Sequence, residues 1–224
     1  MPRHIIFDIN ETLLDVAALD PFFVRLFDDP RTRTEWFLTL EENWLTATIL
    51  ERYKPFGELA QAALVMVGQR RGIEIAEEVQ QELTERLKQL PAHEDVHEAL
   101  KILRESDLSL VALTNGTLSS VQQQLQSAGL HDYFEAIMSV DEVQRYKPAP
   151  EPYQMVAKRM NIATSDMLMV AAHAWDIAGA ASAGCRTAFV TRPGKVLNPA
   201  GTLPDLEGED LVNIARQIVA QKAG

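Results

Sequence analysis

The chain has 224 residues, 46% of them hydrophobic and 24% charged, which suits one large domain or a core with a smaller insert and leaves enough apolar mass for a substantial core. A net charge of −11 argues against a nucleic-acid backbone or an anionic membrane surface as partner. The single cysteine, Cys185, excludes an internal disulfide framework and a multi-cysteine metal site, and reads as a small packing residue. No apolar h-region of a signal peptide and no run near the ~18 apolar residues of a membrane span is present, so a cytoplasmic protein is expected.

In chain order, the first element is a short apolar run at 5–7, too brief for a helix and continuous enough for a strand buried on both faces. From residue 16 to 90 no strand pattern follows. Helical patterns at 18–27, 33–50, 56–71 and 75–90 are divided by Pro30, by Pro55-Phe56-Gly57 and by Gly72, and Pro91 ends the stretch. Strand and helix then alternate: helix 94–104, strand 108–113, helix 117–128 stopping at Gly129, strand 136–139, helix 152–160, strand 167–172, helix 177–183 stopping at Gly184, and strand 187–190. Residues 192–209 read as loop and 210–222 as a closing helix. The alternation predicts an α/β fold with a doubly wound, mostly parallel, Rossmann-like sheet. The domains expected are a core of residues 1–15 and 91–224 and a helical cap of residues 16–90, inserted at the carboxyl end of the first strand, over the usual ligand crevice.

Four segments then fall at successive strand ends: Asp8, Thr114-Asn115-Gly116, Tyr146-Lys147-Pro148 and His173-Ala174-Trp175-Asp176. Singly these are ordinary: an Asp after a strand is commonly a cap or turn residue, Thr-Asn-Gly is turn chemistry, and a Lys before Pro is usually solvated. Together, at the ends of four core strands, they describe a site.

With the loop Asp8-Ile9-Asn10-Glu11-Thr12, the hydroxyl of Thr114, Lys147 and the terminal acid Asp176, the chain resembles the haloacid dehalogenase superfamily over nearly its whole length. It is most similar to the type II (S)-2-haloacid dehalogenases (L-2-haloacid dehalogenases), through Tyr146-Lys147-Pro148 and Trp175-Asp176-Ile177-Ala178-Gly179-Ala180. The resemblance implies Asp8 as nucleophile, Lys147 holding it ionised, Thr12 and Thr114 fixing its carboxylate, and Asp176 orienting water. It also implies Ile9 and Asn10 N–H groups, with Thr114, at the substrate carboxylate, Asn115 near halide, and Phe56 and Trp175 lining the pocket. A homodimer is the family's expectation.

Two departures sharpen the reading. Phosphatases of this superfamily carry an acid two positions after the nucleophile to protonate the leaving alkoxide, and further acids to hold magnesium; here those places are Asn10 and Ala172. Halide leaves without a proton, so cleavage of a carbon–halogen bond needs neither, and no metal or cofactor is expected. The expected reaction is therefore hydrolysis of a short 2-haloalkanoic acid to a 2-hydroxy acid and halide through an Asp8 ester, with inversion at C2 and fluoroacetate among the candidate substrates. Magnesium-dependent phosphatase or phosphonatase activity, or non-catalytic binding of a small acid, are the alternatives.

The halide pocket is the less regular part. The cap arginine that contacts halide in relatives aligns at or beside Trp36, so recognition is expected from Asn115, Trp36 and Phe37; Arg33, one helical turn away, is the alternative cation, although it and Arg31 read as surface residues. His173 stands where relatives carry asparagine. Three readings stay open for it: a base for water, a donor to substrate or halide (fluoride above all), and a buried, satisfied side chain.

Overall fold

The computed structural model describes residues 2–223. Six strands form one sheet: β1 (His4–Phe7), β2 (Ser109–Thr114), β3 (Ala136–Ser139), β4 (Met167–Ala171), β5 (Arg186–Val190) and β6 (Leu206–Gly208). Every neighbouring pair is parallel, in the order β3-β2-β1-β4-β5-β6. The chain winds outward from β1 through β2 to β3, then crosses back to β4. That reversal puts the carboxyl end of β1 between those of β2 and β4, at the switch point where open α/β sheets bind ligands.

The strands read as unbroken apolar runs because both faces are covered. Ile5, Phe7, Leu110, Ala112, Leu168 and Val170 pack on one side with α5 (Val96–Glu105), α6 (Leu118–Ser127) and α9 (Leu211–Ala223). Ile6, Val111, Leu113, Met167, Met169 and Ala171 face the other side, with α7 (Pro150–Met160) and α8 (Ala174–Ser182). This two-residue alternation is the pleat expressed in burial.

Residues between β1 and β2 are helical: a 3₁₀ turn at Val16–Leu19, then α1 (Asp20–Phe27), α2 (Thr32–Ile49), α3 (Phe56–Arg70) and α4 (Glu77–Leu87). Pro21 lies in the first turn of α1, where its missing N–H costs nothing, so the expected helix at 18–27 divides there. The two ends of this stretch are tied together: Asp15 N–H donates to Pro91 O at 2.8 Å, and His93 N–H to Leu13 O at 3.0 Å. Phe22, Phe23, Trp36, Trp44 and Leu64 continue the apolar cluster of the β1 face rather than enclosing a separate one.

Both expected glycine stops hold. Gly129 and Gly184 follow α6 and α8 with φ of +69° and +89°, a region costly for other residues. One expectation fails. Residues 192–209 are not loop throughout, since Leu206–Gly208 pairs with β5 as edge strand β6. Three residues with one buried apolar side chain carry no periodic signal, and Gly208 is there because a Cβ would meet α9, 2.8 Å from Ile214. Among the described residues no helix is long and apolar enough to cross a membrane.

Candidate active site

β1 delivers Asp8. Its N–H still donates to Val170 O of β4 at 3.1 Å, so the carboxylate leaves the sheet edge from a fixed backbone. The next residues turn tightly: Leu13 and Leu14 N–H groups both donate to Ile9 O, and Glu11 adopts φ +64°. A left-handed residue other than glycine costs about 1–2 kcal/mol, so the turn must be braced. Thr12 braces it from inside, its Oγ1 donating to Asp8 Oδ2 at 2.6 Å and accepting Ala172 N–H at 3.0 Å. Arg192, after β5, donates Nε and Nη2 to Thr12 O while pairing with Asp95 at 2.8 Å.

Lys147 is fully buried, and its ammonium spends all three protons. They go to Asp8 Oδ1 at 2.9 Å, Asp176 Oδ2 at 2.6 Å and Leu113 O at 3.1 Å. Asp176 Oδ1 accepts the Tyr153 hydroxyl at 2.6 Å. α8 begins at Ala174, earlier than expected, so Asp176 lies in its first turn, where a carboxylate suits the helix dipole. Gly179, one turn on, lets α8 close on the Lys147 loop, because a Cβ there would stand 2.6 Å from Pro148 Cβ and O.

His173 lies between the rings of Trp175, centroids 4.8 Å apart, and Phe37, 6.0 Å apart. Its Nδ1 is 3.1 Å from Asp8 Oδ2 and its Nε2 is 2.8 Å from Glu11 Oε2. Glu11 in turn pairs with Lys195, and Arg33 Nη1 stands 3.8 Å from its other oxygen. Asp8 and Asp176 thus share Lys147, Asp8 and Glu11 share His173, and Glu11 also meets Lys195 and Arg33.

The electrostatics follow. Burial would raise the Asp8 carboxyl, but Lys147 and His173 overcome it and hold the group far below the usual carboxylate range. Burial works against the His173 imidazolium as well, yet the hydrogen bonds to Asp8 and Glu11 raise it to about 9. Lys147 is raised by its two carboxylates in spite of burial. Asp176 moves up, because burial and the Asp8 charge outweigh the pull of Lys147. Cys185 takes no part: burial pushes its thiol up to about 12.

The structure brings Asp8, Thr12, Lys147, Asp176 and His173 into one hydrogen-bonded cluster, with Phe37 and Trp175 against it. Asn10 and Phe56 line a separate small cavity of about 30 Å³, and the Asn10 amide oxygen accepts from Gln124 at 3.1 Å. Ile9 is buried in the same turn. Three expected contacts are redirected. Thr114 Oγ1 accepts Gly116 N–H at 2.9 Å and so shapes its own loop, while Asp8 is fixed by Thr12. Asn115 commits both ends of its amide to the Lys147 backbone, accepting N–H at 2.9 Å and donating to O at 3.3 Å. Trp36 donates its indole N–H to Ala60 O at 2.9 Å and packs α2 on α3, so that donor is spent. Trp44, two turns along α2, is the indole whose buried N–H has no partner among the described residues, and its ring meets Phe37, Phe56 and Trp175. His173 is not a free base, since both ring nitrogens face carboxylates.

Glu11, Lys195, Arg192, Tyr153 and Trp44 were not singled out from the sequence. Arg192 and Lys195 follow the fifth strand, so the strand-end rule that found the other four segments would have reached them. Arg33, read as a surface residue, is mostly covered and pairs with Asp20 and Glu11.

The residues present do not fit magnesium. Such an ion needs several oxygen ligands, yet the space between Asp8 and Asp176 is filled by Lys147, both oxygens of each carboxylate already accept hydrogen bonds, and Ala172 offers a methyl group.

The fold and the sequence have matches among known proteins. Residues 2–184 match the haloacid dehalogenase-like hydrolase family, and the chain belongs to it. The chain is 30% identical over 208 residues to (S)-2-haloacid dehalogenase 2 of Pseudomonas sp. (strain CBS-3), covering 91% of this chain and 90% of that one. The solved L-2-haloacid dehalogenase RSc1362 superimposes with a TM-score of 0.92 at 26% identity, over 98% of this chain and 99% of that one. The L-2-haloacid dehalogenase of Xanthobacter autotrophicus gives 0.91 at 23% identity, over 97% and 98%, and attests the shared fold.

Proposed function

We propose that the protein hydrolyses short 2-haloalkanoic acids of the (S)-2-haloacid type, giving a 2-hydroxy acid, halide and a proton. The carrying observation is the Asp8 carboxylate, kept ionised against its burial by Lys147 and His173, beside Asn10 and Ala172 in place of a proton donor and a metal ligand. Asp8 displaces halide from C2 with inversion, and water then hydrolyses the ester at the Asp8 carbonyl carbon. Asp176, joined to Asp8 through Lys147, receives a proton from that water. Ile9 and Asn10, in the turn, take the substrate carboxylate. For the halide, the unpartnered indole N–H of Trp44 replaces Trp36 as the donor, beside Phe37 and Trp175. The helical stretch 16–90 serves as cap, since α2 and α3 supply Phe37, Trp44 and Phe56, while residues 1–15 and 91–224 form the catalytic core. A cytoplasmic homodimer belongs to the same reading.

The test is halide release from L- and D-2-chloropropionate, chloroacetate and fluoroacetate, with and without EDTA. Release unaffected by EDTA is expected. Silence on the whole panel, or turnover of a phosphate ester that chelation abolishes, overturns the reading.

A further inference from the structure

The two oxygens of Asp8 are not equivalent. Oδ2 accepts from Thr12 Oγ1 at 2.6 Å and meets His173 Nδ1 at 3.1 Å, so both of its in-plane lone pairs are engaged. Oδ1 accepts from Lys147 alone, at 2.9 Å, and keeps one lone pair free. A nucleophilic oxygen needs a free pair. His173 carries protons on both nitrogens, because each faces a carboxylate oxygen that can only accept.

We infer that Oδ1 is the attacking oxygen, and that Thr12 and His173 form an oxyanion hole on Oδ2 for hydrolysis of the ester, with Glu11 and Lys195 as the positioning residues that hold His173 in its donor state. The inference deepens the dehalogenase reading and rests on it. In the first step the free pair of Oδ1 forms the bond to C2 while the carbon–halogen pair departs with halide. Oδ2 becomes the ester carbonyl oxygen without moving. In the second step water oxygen bonds to Asp8 Cγ, one water proton passes to Asp176, and the carbonyl π pair moves onto Oδ2. The negative oxygen then lies on two donors already in place. Collapse restores the carbonyl and breaks the Cγ–Oδ1 bond. The departing 2-hydroxy acid oxygen takes the proton from Asp176, and Asp8 returns to carboxylate as one proton leaves to solvent.

The donors on Oδ2 lose charge to bind in the first step and gain it in the second, so they favour the second. The charge of His173 is set by groups from every side. Asp8 and Glu11 come from the turn after β1, Asp176 from α8 and Glu41 from α2, against Lys147 after β3, Lys195 after β5 and Arg33 on α2. The rise of the imidazolium to about 9 agrees with this surrounding.

The experiment is rapid quench of the full-length enzyme with excess L-2-chloropropionate, following chloride, 2-hydroxypropionate and the mass of the quenched protein. In His173→Gln and Thr12→Val, ester hydrolysis should slow by about 10²–10³-fold, the scale of one lost oxyanion donor. Chloride should then outrun product, and the Asp8 peptide should carry the acyl adduct in a far larger fraction of molecules than in wild type. Glu11→Gln, nearly isosteric and the safer variant for folding, should accumulate more adduct than wild type but less than those two variants, and should lose hydrolysis at a lower pH than wild type. Variants that slow chloride release with no added adduct, or that leave both steps unchanged, overturn the inference. Absence of chloride release by wild type would instead remove the dehalogenase reading itself.

Discussion

The charge on His173 should be visible in stability before any substrate is added. Its ordinary value is 6.5, and the folded protein raises it to about 9, through hydrogen bonds to Asp8 and Glu11 that outweigh the opposing burial. A base whose folded value is raised stabilises the fold fully below its unfolded value and loses that contribution as pH rises through the folded one. The window is therefore pH 6.5 to about 9. At about 1.4 kcal/mol per pH unit the loss is roughly 3 kcal/mol. For a chain of this size, at about 2–4 °C per kcal/mol, this corresponds to a fall in Tm of roughly 6–12 °C. His93 acts with the opposite sign, because burial lowers its value, so its effect lies below this window. The measurement is Tm against pH, from 6 to 9.5, by calorimetry on wild type and His173→Gln. Wild type should decline across the window while the variant, less stable throughout, stays nearly flat. Parallel curves for the two proteins would refute the assignment of the charge to His173.

Other consequences are as direct. Asp8→Asn should keep its fold and lose halide release by about 10⁴-fold or more, read by an ion-selective electrode. Lys147→Met strands Asp8 and Asp176 in the interior without their cation; breaking a buried pair costs about 3–5 kcal/mol, seen as a lower denaturation midpoint in urea. Gly179→Ala places a methyl group 2.6 Å from Pro148, and overpacking of this kind costs about 1–3 kcal/mol. It should also lower kcat, because α8 and the Lys147 loop must part.

Most of the fold was readable because β1 to β5 are short apolar runs set between helices with glycine or proline punctuation. What escaped was β6, whose three residues form a strand only because β5 presents an open edge. The candidate site was readable for a related reason: a parallel sheet collects its strand ends at one place, so Asp8, Lys147, His173 and Asp176 could be gathered without knowing a distance. Hydrogen-bond commitments were not readable in this way. Trp36 and Trp44 are alike in sequence terms, eight residues apart on one helix, and only the position of the Ala60 carbonyl separates a spent indole from an unpartnered one. Tyr153 enters through hydroxyl geometry, which no local pattern encodes.

Glu11, His173 and Lys195 stand on three separate segments, and the buried carboxylate of Glu11 pairs with both of the others. Glu11 is the shared anion: without it His173 keeps only Asp8 and Lys195 loses its carboxylate, so Glu11 is not replaced cheaply by itself. The left-handed backbone at residue 11 would otherwise favour glycine, which has no charge to balance. Two arrangements then strand no charge: Glu11 together with its cations, or glycine at 11 with a neutral residue at 173 and no cation required at 195. Aligned homologues should divide along that line, with mixed sequences rare, and the three positions would then serve as a signature for sorting members of the family.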